Sequence, residues 1–268
     1  MVPSASAMDP FLDRTAFPGP TIDLAASGAS FAGQARFNGC IAVTNWLRAE
    51  VERLLPPQLA LAANASPTPD LHPVIFVFGE QTQGAVIFAR LPVPAGPDYG
   101  EFALAIPFVR HRDGRHLHVH VPRMYSSYFP ATWNGNAHYG FGKAMARMEW
   151  RGPVFLMTNE TDDLLLHAAV EPAGDWVSGA AADLPLLAAL RAIFSLPVVG
   201  RKADGRLVCS WWGWGFGDAL VRPAAASVSI DAPLVEGLPL RTCTAVPGGS
   251  FEVRGMAWKL TWPTPCRS

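Results

Sequence analysis

Lys143 and a row of three histidines are the residues of this sequence whose types and spacing could do chemistry. His116, His118 and His120 alternate with apolar neighbours, and on a strand alternate side chains share one face. Neighbours in such a row lie about 6.6 Å apart and the outer two about 13 Å apart. One ion with ligand bonds near about 2 Å therefore bridges two of them at most, so a solvated or interface face is the better reading and no metal is expected. Lys143 stands in Tyr139-Gly140-Phe141-Gly142-Lys143-Ala144-Met145-Ala146, an aromatic and small-residue setting rather than a polar run. In one reading its stem snorkels along the surface. In the other it is desolvated, which favours the neutral amine that attacks a carbonyl. Gly213-Trp214-Gly215-Phe216-Gly217 lacks the spacing of a phosphate cradle and reads as a bent strand in which Trp211, Trp212 and Trp214 pack. With no G-x-S-x-G elbow and no H-E-x-x-H, a serine hydrolase or zincin has no foothold. Cys40, Cys209, Cys243 and Cys266 form no C-x-x-C pair and are expected as separate core thiols in a reducing compartment.

The elements that must position these residues are mostly strands. Residues 116–121 alternate as a strand does, and strand-like runs also occur at 40–43, 74–78, 85–89, 101–109, 154–157, 164–166, 225–230 and 257–262. Asn45 is placed to cap a helix that runs to Leu55 and stops at Pro56 and Pro57. Asp183 is placed to cap a second, amphipathic helix carrying Leu184, Leu187, Leu190, Ile193 and Phe194. Pro130 stands where a further helix would begin, and residues 203–206 read as a hairpin turn. No strand–helix alternation of the doubly wound kind is present. The expected class is β-rich α+β, an antiparallel sheet or barrel with a few helices. Residues 1–34, rich in Ala, Ser, Gly and Pro, are expected as an N-terminal extended arm and residues 35–268 as a single domain.

Composition narrows the function classes. The 268 residues carry 21 Lys+Arg against 22 Asp+Glu, and charged residues make up 16%, below the roughly 25% usual for soluble domains. There is no Lys/Arg-rich run, so no nucleic-acid partner is expected. No apolar stretch approaches the roughly 20 residues that span a bilayer, and residues 1–34 show no basic n-region followed by an apolar core. The expectation is a cytoplasmic protein without membrane association. Half the residues are hydrophobic, and homo-oligomerisation would cover the apolar surface that so few charges leave.

Residues 124–137, Met-Tyr-Ser-Ser-Tyr-Phe-Pro-Ala-Thr-Trp-Asn-Gly-Asn-Ala, followed by Phe141-Gly142-Lys143, resemble the signature region of the acetoacetate decarboxylase family. That family reads M-Y-L-D-N, a Pro-Ala helix start, G-R-E and then aromatic-P-K-K. Gly135 matches the glycine of G-R-E, with Asn136 and Ala137 in place of its Arg and Glu. Phe141 matches the aromatic, Gly142 replaces the proline, Lys143 matches the Schiff-base lysine and Ala144 replaces the second lysine. Tyr99-Gly100-Glu101, followed by Ala105-Ile106-Pro107, is similar to the family strand whose glutamate lies in the active site, and Glu101 takes its place. Residues 51–59 are similar to the family helix that ends in V-P-x-P-L. The family's active-site arginine falls by count on Phe37, with Arg36 adjacent. The resemblance covers about residues 35–230 and implies an antiparallel β-barrel or cone with flanking sheet and helices, enclosing an apolar site.

What the resemblance implies for function follows from these matches and departures. Lys143 would form an iminium with a small keto acid or other carbonyl substrate, without a cofactor, and Glu101 would move protons or position the substrate. Phe141 and Tyr125 would form the cavity wall, with Arg36, Phe37 and Arg147 also near the substrate. Arg147, four residues after Lys143, would replace the missing second cation if the segment is helical. Phe37 offers no clamp for a carboxylate, and Arg36 would face the other side of a regular strand. Decarboxylation, aldol chemistry and dehydration share the same iminium. The alternative is a non-catalytic relative that binds a small molecule in an aromatic cavity.

Overall fold

Alternation of period two runs through the long strands and divides their side chains between two cores. The structure is a computed structural model and describes residues 31–63, 68–89, 91–182 and 185–266. Its first third holds β1 (Phe31–Leu47), α1 (Arg48–Arg53), β2 (Leu59–Leu61), β3 (Leu71–Phe88), β4 (Leu91–Pro94), β5 (Tyr99–His111) and β6 (Leu117–Ser126). There follow α2 (Phe129–Asn134), a π-helical turn (Gly135–Tyr139), β7 (Lys143–Met145), β8 (Arg147–Arg151), β9 (Val154–Thr158), β10 (Leu164–Pro172) and β11 (Val177–Ser178). The last third holds α3 (Pro185–Ile193), β12 (Pro197–Arg201), β13 (Leu207–Gly215), β14 (Leu220–Ile230), β15 (Arg241–Thr244), β16 (Ser250–Thr261) and β17 (Thr264–Pro265).

Seven strands close a ring in the order β1, β3, β5, β6, β12, β13, β16 and back to β1. The ring is antiparallel except where β6 meets β12, so it is mixed rather than fully antiparallel as expected. The long crossover between those two strands is what a parallel pairing requires. It supplies β8, β9 and β10 of the second sheet, β8–β9–β10–β14–β15, which β14 and β15 complete from later in the chain. Strand β14 links the two sheets: residues 220–223 pair with β16 of the ring and residues 224–230 with β10.

Inward residues of the ring include Phe37, Ile41 and Val43 of β1, Ile75 and Val77 of β3, and Ala103 and Ala105 of β5. Their neighbours Cys40, Ala42, Phe76, Phe78, Phe102 and Leu104 face out and pack with Phe155, Met157, Leu166 and Ala168 of the second sheet. Burying each large side chain contributes about 1.5–3 kcal/mol. A one-residue slip would exchange the two sets, so the register of these strands is strongly specified. Leu187, Leu190 and Ile193 of α3, with Phe194 beyond it, complete the interior.

Several local expectations change in this context. Strand β1 continues to Leu47, with Trp46 opposite His72, so α1 begins only at Arg48 and Asn45 caps nothing. Pairing with β1 also makes one strand, β3, of the two runs at 74–78 and 85–89. Asp183 and Leu184 lie outside the described residues, as do residues 1–30 of the expected arm, while residues 31–34 open β1. Cys209 and Cys266 form a disulfide with Cα atoms 4.9 Å apart. Antiparallel pairing of β13 with β17, which sets Cys209 opposite Thr264, makes this possible across 57 residues. The expectation of four separate thiols is thereby corrected; Cys40 and Cys243 remain as buried thiols. Among the described residues no helix is long and apolar enough to cross a membrane.

Candidate functional site

Lys143 enters the interior through an unusual local path. Pro130 stands in the first turn of α2, whose carbonyl-bonded spiral widens into the π-helical turn and ends at Gly140. Gly142 has φ +57°, which is closed to proline because its ring holds φ near about −65°. Here the turn itself excludes the residue the resembling family carries. Strand β7 then runs parallel to β6, with Lys143 beside Met124. Asn136 clamps the Lys143 backbone from both sides: its Oδ1 accepts from Lys143 N at 2.6 Å and its Nδ2 donates to Lys143 O at 2.9 Å. A Cβ on Gly135 would stand 2.7 Å from Lys143 Cδ, so only glycine lets the lysine stem cross that turn.

The Lys143 Nζ donates to Glu101 Oε2, and the two side chains are 7% and 5% exposed. Glu101 shares the inward face of β5 with Ala103 and Ala105, two and four residues on. Its other oxygen, Oε1, accepts from Gln81 Nε2 at 2.9 Å. Gln81 Oε1 in turn accepts from Trp258 Nε1 at 2.6 Å. Each member of this chain uses a different atom for each neighbour, so the Glu101 carboxylate is fixed in orientation and keeps one oxygen for the lysine. A buried ion pair with its remaining lone pairs met in this way avoids much of the desolvation cost of burial.

Aromatic rings form part of the interior that holds the pair. Tyr139 stacks on Phe141 at 5.4 Å and Phe141 on Trp212 at 6.3 Å, while Trp258 meets Trp212 edge-on at 5.8 Å. Trp214 is edge-on to Trp212 and stacked on Phe194. Burial pushes the Tyr139 phenol up to about 12, so it stays a neutral donor at physiological pH. Trp212 Nε1 and Trp214 Nε1 are shielded from solvent and have no hydrogen-bond partner. An unmet buried donor of this kind costs about 1–3 kcal/mol, and Trp258 in the same cluster shows that the fold can supply an acceptor to an indole here.

The residues singled out from sequence are thus distributed unequally. Lys143, Glu101 and Phe141 meet in the ring interior. Phe37 is also inside, directly opposite Gln81 across β1 and β3. Arg36 faces away and donates to Gly255 O at 2.9 Å. Tyr125 belongs to the other core, its hydroxyl donating to Leu234 O at 3.4 Å, so it does not form the expected wall beside Lys143. Met124, its neighbour on β6, takes the inward place. Arg147 lies on β8, not on a helix, and pairs at the surface with Asp162, so it does not supply the missing cation. Among the described residues no arginine is buried. Gln81, Trp258 and Asn136 were not anticipated. For Gln81 the signal was available, since it stands at period two from Ile75 and Val77 on an otherwise apolar face.

His118 and His120 share the outer face of β6, but that face is covered rather than solvated. Both are buried, and burial lowers each to about 4. His120 Nδ1 lies 3.1 Å from Val199 O. Among the described residues no group of three or more His, Cys, Asp or Glu is placed to hold a metal. A cleft of about 630 Å³ opens between the ring and the second sheet, where Arg222 and Arg254 each stand over the Trp176 ring; neither Lys143 nor Glu101 lines it.

By sequence, no protein family and no curated protein matches the chain. By structure it is similar to the enduracididine biosynthesis enzyme MppR complexed with the condensation product of pyruvate and imidazole 4-carboxaldehyde. That match has a TM-score of 0.59 at 14% identity and covers 87% of this chain and 88% of the other. It is similar to acetoacetate decarboxylase from Legionella pneumophila subsp. pneumophila str. Philadelphia 1, with a TM-score of 0.58 at 12% identity over 89% of each chain. An acetoacetate decarboxylase-like enzyme from Sphingomonas wittichii RW1 matches with a TM-score of 0.55 at 14% identity, over 89% of this chain and 94% of that one. The chain therefore has the acetoacetate decarboxylase-like fold.

Proposed function

We propose that this chain is a cofactor-independent Schiff-base enzyme that acts on a small carbonyl compound through an iminium on Lys143. The observation that supports it is the buried contact between Lys143 Nζ and Glu101 within an interior otherwise lined by aliphatic and aromatic side chains. Glu101 takes a proton from the ammonium, and the neutral amine adds to the carbonyl carbon. The carbinolamine oxygen is then protonated by Glu101 and leaves as water, which produces a cationic iminium. That cation draws electrons from the adjacent bond, so loss of a carboxyl group, an aldehyde or a proton each gives the enamine. In this reading Glu101, held by Gln81, returns the proton before hydrolysis frees the lysine.

A second reading, a non-catalytic binder of a small molecule, is favoured by Phe37, which leaves the interior without a second cation. Borohydride reduction with a panel of keto acids and aldehydes separates the two. The sequence has three lysines, Lys143, Lys202 and Lys259, so peptide mapping is unambiguous. A reduced adduct at Lys143, lost in Lys143→Ala, is the expected result. An adduct on another lysine, or none across the panel, would favour the binder.

A further inference from the structure

We infer that the compound taken into this interior is uncharged and aromatic, and that an oxygen remote from its reacting carbonyl is received by the indole N–H groups of Trp212 and Trp214. This rests on the reading of the ring interior as the substrate site. Trp212 is 7% exposed and its Nε1 meets no acceptor, as does that of Trp214. Trp258, within 5.8 Å of Trp212, has its N–H taken by Gln81. Trp46 Nε1 is also unmet but lies in the other core, so among the unmet indoles of the described residues Trp212 and Trp214 are the two that belong to the ring interior.

Charge excludes an anionic occupant. Among the described residues no arginine is buried, Phe37 faces inward where Arg36 faces out, and the Lys143 charge is already met by Glu101. A carboxylate taken from water to such a place would keep its full desolvation cost, whereas an ether or ester oxygen needs one or two neutral donors. Shape argues for a ring. Tyr139, Phe141 and Trp212 lie within 20° and 22° of parallel in succession, with Trp258 at 83° as an edge, an arrangement that accepts a further ring by offset or edge contact. Phe141 stands two residues from Lys143, so the donors at Trp212 serve the far end of an occupant and Glu101 its reacting end.

Benzyl alcohols test this on the wild-type protein, because they cannot form an imine and report the site independently of lysine chemistry. Calorimetric titration with 4-methoxybenzyl alcohol, 4-ethylbenzyl alcohol and 4-(hydroxymethyl)benzoate compares an acceptor, an isostere without one and an anion. The methoxy compound is expected to bind about fivefold tighter than the ethyl compound and at least about tenfold tighter than the carboxylate. The double variant Trp212→Phe/Trp214→Phe should abolish the methoxy-over-ethyl preference, read as the ratio of the two affinities in the same protein. Equal or tighter binding of the carboxylate, no binding of any of the three, or an unchanged preference in the variant would overturn the inference. Binding in the expected order with no borohydride adduct from 4-methoxybenzaldehyde would instead sink the lysine reading and leave this one standing.

Discussion

Glu101 and Lys143 are each buried against the other, so the two residues act as a unit. Removing one partner of a buried ion pair leaves an uncompensated charge and costs about 3–5 kcal/mol, whereas replacing both by apolar groups of similar volume is often near neutral. We expect Lys143→Met alone to lower stability in urea titrations by more than the double variant Lys143→Met/Glu101→Leu does. Equal losses would mean that the pair is solvated in solution. Gly135 acts on the lysine through space alone, since a Cβ there meets Lys143 Cδ at 2.7 Å. Gly135→Ala should therefore slow adduct formation at Lys143 by about tenfold or more, because a displacement near 1 Å is costly to a positioned nucleophile. A rate equal to wild type would remove Gly135 from the positioning of the amine. The setting of Lys143 among aromatic and small residues was readable from the chain. The fate of Arg147 was not, because it depends on whether the next segment is strand or helix.

Strand β6 has one face in the interior and the other face covered, and its histidines record that cover. An unfolded histidine titrates near about 6.5, while burial holds folded His118 and His120 at about 4. Between these values the unfolded chain binds protons that the folded chain refuses, so stability falls as pH falls through the window from 6.5 to 4. Above 6.5 neither residue contributes to the pH dependence. The loss is on the order of 3 kcal/mol for each by pH 4. Thermal melts from pH 7 to pH 4 should show this decline, and His118→Phe should reduce it only in part, since His120 and the buried His72, each also held at about 4, remain. An unchanged slope in that variant would place the protonation elsewhere. The alternation of His116, His118 and His120 predicted a shared face; the backbone partner that His120 meets there, Val199 O of the neighbouring strand β12, lies 79 residues away.

Across the whole molecule, the Cys209–Cys266 bond ties the last strand to the ring wall. A closed loop of 57 residues corresponds to about 4 kcal/mol of lost unfolded-state entropy in the chain-entropy account. Reductant should lower the melting temperature of the wild-type protein by several degrees and leave Cys266→Ser unaffected. No response in the wild type would show that the bond is not formed in solution. The ring itself has the same non-local character, since β1 pairs with β16, more than 200 residues on.

Local chemistry along the chain determined the strand-rich class, the alternating faces, the helix start at Pro130 and the isolation of Lys143 among apolar residues. These follow from period-two patterning and from the conformational limits of proline and glycine, which act between near neighbours. Tertiary structure alone decided that Gln81 holds Glu101 beside Lys143, that Tyr125 turns to the other core, that Cys209 finds Cys266 and that two indole N–H groups of the ring interior stand unmet. Each of those outcomes depends on which strand pairs with which and in what register. Register is set by the joint burial of two faces over the whole ring, a quantity that no short window of sequence contains.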